Sequence, residues 1–305
     1  MNAKKTVQNW DDLRYFLAVV RAKTLSGAGE QLGTEHTTVA RHIRALEERL
    51  KTRLFLKSNS GYDLTPAGEK ILNIAETVES ALLTAEDVTT TRKQDISGTV
   101  RLGSPDGLCT VFIAPRLKML SAEYPNLHVE IISSTRIYSL TKREADIYIG
   151  FSRPDYARVV SRRLTDYKLF VYGSKEYLKT AAKIMSKNDV SKHPFIGYVE
   201  EFIFFPELNY LDMAGTDLIP HLSSTNLMTQ VFAALGGVGL CILPSFLAES
   251  FPDLVAVLPD QLSINRSFYM NIHEDHRNAQ HIRAVADFIA SEIEKNESLF
   301  LKIPN

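Results

Sequence analysis

The chain has 305 residues, 45% hydrophobic and 23% charged, the balance of an ordinary globular protein with room for two or three compact units. That composition argues against long disorder and collagen-like repeats, and the only two cysteines, Cys109 and Cys241, are too far apart in sequence for a CxxC redox pair or a zinc-ligand spacing. Net charge is −1, yet residues 1–65 carry eleven Lys and Arg against seven Asp and Glu, so the basic N-terminal end is the candidate polyanion binder.

Gln8, Asn9, Asp11 and Asp12 stand where a secretory signal would place its apolar run, so a cytoplasmic protein is expected. The longest apolar stretch, 239–248, is interrupted by Pro244 and Ser245 and is too short to cross a bilayer, so no membrane partner is expected. Leu13, Phe16, Leu17 and Val20 follow the i, i+3, i+4, i+7 spacing of a helix with one buried face. Thr24 is a good N-cap for a second short helix over 25–32, which Gly33 and Thr34 break. A third runs from about Glu35 to Leu50 with Val39, Ile43, Leu46 and Leu50 on one face, and two short helices around a Gly-containing turn suggest a helix-turn-helix. Residues 53–57 and 62–65 flank the turn chemistry of Ser58-Asn-Ser-Gly61 and predict a hairpin, a wing.

Thr65 and Pro66 supply an N-cap and an N1 proline for a helix with no strong breaker before 95–98. Its stripe of Ile71, Ala75, Val78, Leu82 and Ala85 suits pairing with a second copy. From Gly98 strands alternate with helices, which predicts an α/β domain. Strands are expected at 100–103, 127–132, 145–149, 168–172, 195–199 and 240–243, helices at 113–124 and 227–235, and a C-terminal amphipathic helix carrying Ile282, Val285, Ala286, Ile289 and Ile293.

Leu13-Arg-Tyr-Phe-Leu-Ala-Val-Val20, Thr37-Thr-Val-Ala-Arg-His-Ile-Arg-Ala-Leu-Glu47, Arg53-Leu-Phe55 and Leu64-Thr-Pro-Ala-Gly-Glu69, in this order, resemble LysR-type transcriptional regulators. Gly98-Thr-Val-Arg-Leu-Gly103, Arg143-Glu-Ala-Asp-Ile147, Gly236-Gly-Val-Gly-Leu240 with Pro244, and residues 273–288 extend the resemblance over the effector region. The resemblance implies an all-α winged helix-turn-helix over 8–65, a linker and dimerisation helix over 66–94, and an α/β bilobal domain of the periplasmic-binding-protein type (type 2) over 95–305. Lobe I would comprise 95–167 and 267–305, lobe II 168–266, with the effector site between them. The implied protein is a sequence-specific regulator that binds double-stranded DNA and a small organic, anionic effector, and assembles as a homodimer and homotetramer. It departs from the family at Glu35-His36-Thr37, where Ser-Gln-Pro is usual, and at Lys57 and Tyr62 in the wing.

A recognition helix aims its first turns at base edges, which nominates His36, Thr37, Thr38, Arg41 and His42. Arg41 is the leading base reader, because its planar fork matches guanine O6 and N7. Arg53 and Lys57 would neutralise phosphates beside the groove. For the effector, a cleft needs hydroxyls at strand ends and an apolar wall. Ser104, Ser134 and Thr135 supply the first from one lobe; Tyr198, Phe202 and Phe204 supply an aromatic wall, and Asn226 a polar edge, from the other. Asp106, beside this site, is expected to cap the helix that follows it. No cofactor is called for and no catalytic constellation is found: GxGxxG, GxSxG and P-loop motifs are absent, and His273, His276 and His281 lack HExxH spacing. The alternative is a solute-binding or enzymatic α/β protein whose N-terminal helices are a dimerisation arm.

Overall fold

The computed structural model describes residues 10–58, 61–87, 93–133, 145–154, 158–210, 220–277 and 279–304. Contacts divide the chain near residue 89 into two compact units.

The N-terminal unit is built from α1 (Trp10–Ala22), α2 (Leu25–Leu32), α3 (His36–Leu50), the hairpin β1 (Phe55–Ser58) and β2 (Gly61–Leu64), and α4 (Pro66–Asp87). The Thr24 hydroxyl accepts the Gly27 N–H at the start of α2, and Gly33 ends that helix in the left-handed region at φ 63°. Glycines in a helix cost about 1 kcal/mol each relative to Ala, but Gly29 is required sterically: a Cβ there would lie 2.7 Å from the Thr34 carbonyl oxygen. The tight turn between α2 and α3 therefore depends on it. Leu13, Phe16 and Leu17 of α1, Val39, Ile43 and Leu46 of α3, and Leu54 and Phe55 form the buried core. Thr65 starts α4, its Oγ1 donating to the Arg53 carbonyl at 2.8 Å and accepting the Gly68 N–H at 2.9 Å.

The second unit is a mixed sheet with helices on its faces. Its elements are β3 (Ser97–Ser104), the single turn α5 (Asp106–Leu108), a π turn over Cys109–Ile113, α6 (Ala114–Glu123), β4 (Asn126–Ser133), β5 (Ile147–Gly150), β6 (Val159–Ser174), α7 (Lys175–Thr180), α8 (Lys187–Val190), β7 (Phe195–Gly197) and β8 (Pro220–Ser223). They continue with α9 (Leu227–Leu235), β9 (Leu240–Pro244), α10 (Ser245–Ala248), β10 (Leu254–Val257), β11 (Ser263–His273), α11 (Gln280–Lys295) and α12 (Glu297–Leu301).

Strand order is β4-β3-β5-β11-β6-β9-β7-β8, with β10 also on β6. β3 pairs in parallel with β4 and β5, and β7 in parallel with β8 and β9, so each half of the sheet has the geometry that needs helical crossovers. The long antiparallel pair β6 and β11 joins the halves. Tyr269–Ile272 of β11 pairs with β5, and Leu169–Tyr172 of β6 pairs with β9. A register shift between Phe268 and Tyr269 marks where this ribbon passes from one half to the other. α11 packs over β3 and β6 through Ile282, Val285, Ile289 and Ile293, all buried. Both cysteines are free and buried; burial, then the nearby Asp106, pushes the Cys109 thiol up to about 11. Among the described residues no helix is long and apolar enough to cross a membrane.

Candidate DNA-binding and effector sites

α3 presents His36, Thr37, Arg41 and Arg44 to solvent, with Thr38 half-buried. Thr37, Arg41 and Arg44 lie at i, i+4, i+7 and form one polar stripe opposite the buried Val39, Ile43 and Leu46. Arg44 was missed in the sequence reading, although the spacing that exposes Arg41 also exposes it.

His42 does not join this stripe. Its Nδ1 lies 2.6 Å from Asp12 Oδ1, and its ring stacks on Tyr15 with centroids 4.0 Å apart. Asp12 is 2% exposed and also accepts from Arg49, so His42 is turned into the packing between α1 and α3, away from a base-reading role. Glu47 ties α3 to the wing, its Oε1 accepting the backbone N–H groups of Leu54 at 2.6 Å and Phe55 at 3.2 Å. Arg53 and Lys57 are exposed. An open groove of about 600 Å³ lies between α3 and the wing, lined by Arg44, Glu48, Lys51, Arg53 and Tyr62 among others. The unit thus presents a rigid helix edge and flanking cations, the arrangement that fits a major groove and its phosphates.

On α4 the expected pairing stripe divides. Ala75 is fully buried in the core of its own unit and Ile71 packs against that core, so the first half of the stripe is intramolecular. The reason is α1, which lies against α4 and is bound to it by the Arg21–Glu79 ion pair. Val78 is half-buried, while Leu82 is 39% and Ile74 56% exposed. Ile74, Val78 and Leu82 follow i, i+4, i+8 and make the apolar face that remains open. The Ala85 side chain lies outside the described residues.

In the second unit a small cavity opens where the two halves of the sheet meet. Its walls include Asp106, Phe151, Tyr167, Tyr198, Leu227 and Phe268. It offers about 20 Å³ for the centre of a water-sized sphere, room for one water molecule. Of the residues expected to hold an effector, Tyr198 lines it. Ser104 lies at the end of β3, fully buried, with its hydroxyl 3.4 Å from the Pro105 carbonyl. Asn226 does not line the cavity: it is exposed, and its Oδ1 accepts the Thr229 N–H and so caps α9. Phe202 and Phe204 are not in the wall: they lie at a short 3-10 turn, 52% and 45% exposed. Tyr198 shares the aromatic wall with Phe151, Tyr167, Tyr210, Phe246 and Phe268, scattered along the chain, with Tyr167 and Phe268 stacked at 4.2 Å. Ser134 and Thr135 fall outside the described residues.

Asp106 does not cap the turn it begins. Its Oδ2 accepts the N–H of Leu227 at 2.5 Å, the first residue of α9 in the other half of the sheet, and its Oδ1 is buried with no partner. Gly107 permits this approach, since a Cβ there would lie 2.8 Å from Leu227 Cδ2. Burial raises the Asp106 pKa, against the lowering effect of the Leu227 N–H, and burial also raises the Tyr198 and Tyr210 phenols. Near the C-terminal helix, His276 Nδ1 lies 3.3 Å from Asp146 Oδ1. Among the described residues no group of three or more His, Cys, Asp or Glu is placed to hold a metal ion.

Comparison with known proteins agrees with this two-unit organisation. Residues 10–69 match the family model "Bacterial regulatory helix-turn-helix protein, lysR family", and residues 93–294 match "LysR substrate binding domain". The HTH-type transcriptional regulator CrgA of Neisseria meningitidis is 25% identical over 94% of this chain and 98% of its own length. The HTH-type transcriptional activator TtdR of Escherichia coli is 26% identical over 92% of each chain. Among solved structures, a full-length OxyR variant from Pseudomonas aeruginosa aligns over 92% of this chain and 97% of its own, with a TM-score of 0.67 at 20% identity, which shows the shared fold. The two matched regions together span most of the sequence, and the chain belongs to the LysR family of bacterial transcriptional regulators.

Proposed function

We infer that this chain works as its family does, as a DNA-binding transcriptional regulator and not an enzyme, with a helix-turn-helix head and an effector-binding domain. We propose that α3 reads the operator of this regulator through Arg41, with Arg44, His36, Thr37 and Thr38 beside it, while Arg53 and Lys57 neutralise flanking phosphates. The observation that carries this reading is the exposed Thr37–Arg41–Arg44 stripe on a helix clamped by Asp12 and Glu47. A clamped helix holds its side chains in one register against base edges, which discrimination requires. Two copies pair through Ile74, Val78 and Leu82 of α4, and two such pairs form a tetramer. The effector is a small organic molecule bound where the two halves of the sheet meet, taken as lobe I (95–167 and 267–305) and lobe II (168–266), and the protein works in the cytoplasm, where its DNA is. An anionic effector, expected from the helix start after Ser104, would meet the Asp106 carboxylate there.

Binding of the full chain to duplex DNA from its own upstream region, titrated with salt, tests the head. Arg41→Ala should relax discrimination at one base pair per half-site, a loss of about 1 to 3 kcal/mol for the preferred base. Lys57→Ala should keep the preference and flatten the slope of log affinity against log salt by about 0.9. Uniform weakening across sequences by Arg41→Ala would assign that side chain to phosphate.

A further inference from the structure

The cavity at the meeting of the sheet halves carries an uncompensated acceptor. Asp106 is 4% exposed; one carboxylate oxygen is spent on the Leu227 N–H, and the other is buried with no partner. A buried carboxylate has about four acceptor positions, and leaving them empty costs free energy that a donor would recover. The positive end of α9, the natural seat for a ligand's carboxylate, is already taken by this internal one. What the cavity lacks is therefore a donor with positive charge. Its walls suit one: Phe151, Tyr167, Tyr198 and Phe268 present aromatic rings, whose faces attract cations, and the free volume next to them admits a group the size of one water.

We propose that the effector of this regulator carries a cationic donor, an ammonium or similar nitrogen head group, which binds the free Oδ1 of Asp106 inside this aromatic cavity. The inference rests on the meeting of the sheet halves being the effector site, and it replaces an anionic ligand with a cationic one. In the present conformation only the head group fits. The remainder of the ligand is admitted by opening about the two crossings, β6 and β11, whose register shift at Phe268/Tyr269 lies at the cavity wall. Asp106 thus serves two donors through different oxygens, the Leu227 N–H on Oδ2 and the ligand's N–H on Oδ1.

Three probes of nearly equal size and different charge decide the matter: benzylammonium, benzyl alcohol and benzoate, each titrated into the full-length protein by calorimetry and by thermal shift. Benzylammonium should bind at least about tenfold more tightly than benzyl alcohol, the factor that a charge-assisted hydrogen bond supplies, and benzoate most weakly. Asp106→Asn, whose side-chain oxygen still accepts the Leu227 N–H, should erase the preference for the cation. Leu227→Trp, whose larger side chain takes the place beside Asp106 that a ligand would occupy, should abolish binding of all three. The proposal is overturned if benzoate binds as well as benzylammonium, if Asp106→Asn leaves the preference intact, or if benzylammonium gives no shift at millimolar concentration, the cavity then holding water only. Benzoate bound in wild type and lost in Leu227→Trp would overturn the ligand class while keeping the site. Tight binding that survives Leu227→Trp would overturn the site as well.

Discussion

Asp12 and Asp106 are both buried carboxylates with opposite surroundings. Asp12 accepts from His42 and Arg49, which joins α1 to α3 and fixes the tilt of α3. Replacing it by Ala strands both donors at a partly buried site, and Asp12→Ala should cost about 2 kcal/mol of head stability in denaturant unfolding. A loss near zero would mean that water replaces the carboxylate without penalty. Asp106 leaves Oδ1 without a partner, and burial raises its pKa above the ordinary carboxylate value against the lowering effect of the backbone N–H groups of Leu227, Gly107 and Met228. The folded state then holds the proton more tightly than the unfolded chain. The favourable contribution is present below the unfolded pKa and is lost as pH rises through the raised folded pKa. Asp106→Asn should therefore remove a decline in stability across that window and leave the protein more stable than wild type above it, measured as melting temperature against pH. A decline that persists in the variant would place its origin in another group.

At the scale of elements, α4 serves two surfaces at once. Its inner side, with Ala75 at full burial, closes the core of the head, and its outer side leaves Ile74 and Leu82 exposed. A charge on the outer side should break the proposed pairing without unfolding the head: Ile74→Glu is expected to reduce the sedimenting mass below that of the wild-type assembly while the helical circular dichroism stays. The mechanism is an unpaired charge buried at an interface, worth several kcal/mol. An unchanged mass would place the pairing surface elsewhere. This division also explains what the sequence could and could not disclose. The helix-turn-helix, the wing and the Thr65-Pro66 start of α4 are written in local periodicity and capping, and the structure has all three. Periodicity could not say whether Ala75 faced a partner or α1, since the two sides of α4 look alike without the contact. β11 was overlooked although Ile264, Phe268, Met270 and Ile272 alternate with polar residues, because Arg266 stands at an inward position of that pattern and shortens the apolar run. The cavity was least legible: Asp106 meets a backbone N–H 121 positions away, and no local pattern encodes that contact.

For the whole molecule, the head and the effector domain have separate cores, so the free energy of DNA contact and that of the cavity arise in different places. A regulator of this kind responds only if its conformations differ in affinity for DNA, and a ligand moves the balance only by its own differential affinity. A change in the cavity can therefore shift operator affinity without touching a DNA contact. Leu227→Trp provides the test, because a cavity with room for one water cannot take the larger side chain while the sheet halves stay closed. The wedge should move operator affinity by the few-fold to hundredfold range typical of coupled sites, about 1 to 3 kcal/mol, in the direction that opening favours. The slope of log affinity against log salt should stay at the wild-type value, since the wedge leaves the proposed phosphate contacts of Arg53 and Lys57 unchanged. Both quantities come from one salt titration of operator binding. An unchanged affinity would mean that the cavity and the head are not coupled, and a changed slope would mean that the wedge had rearranged the head itself.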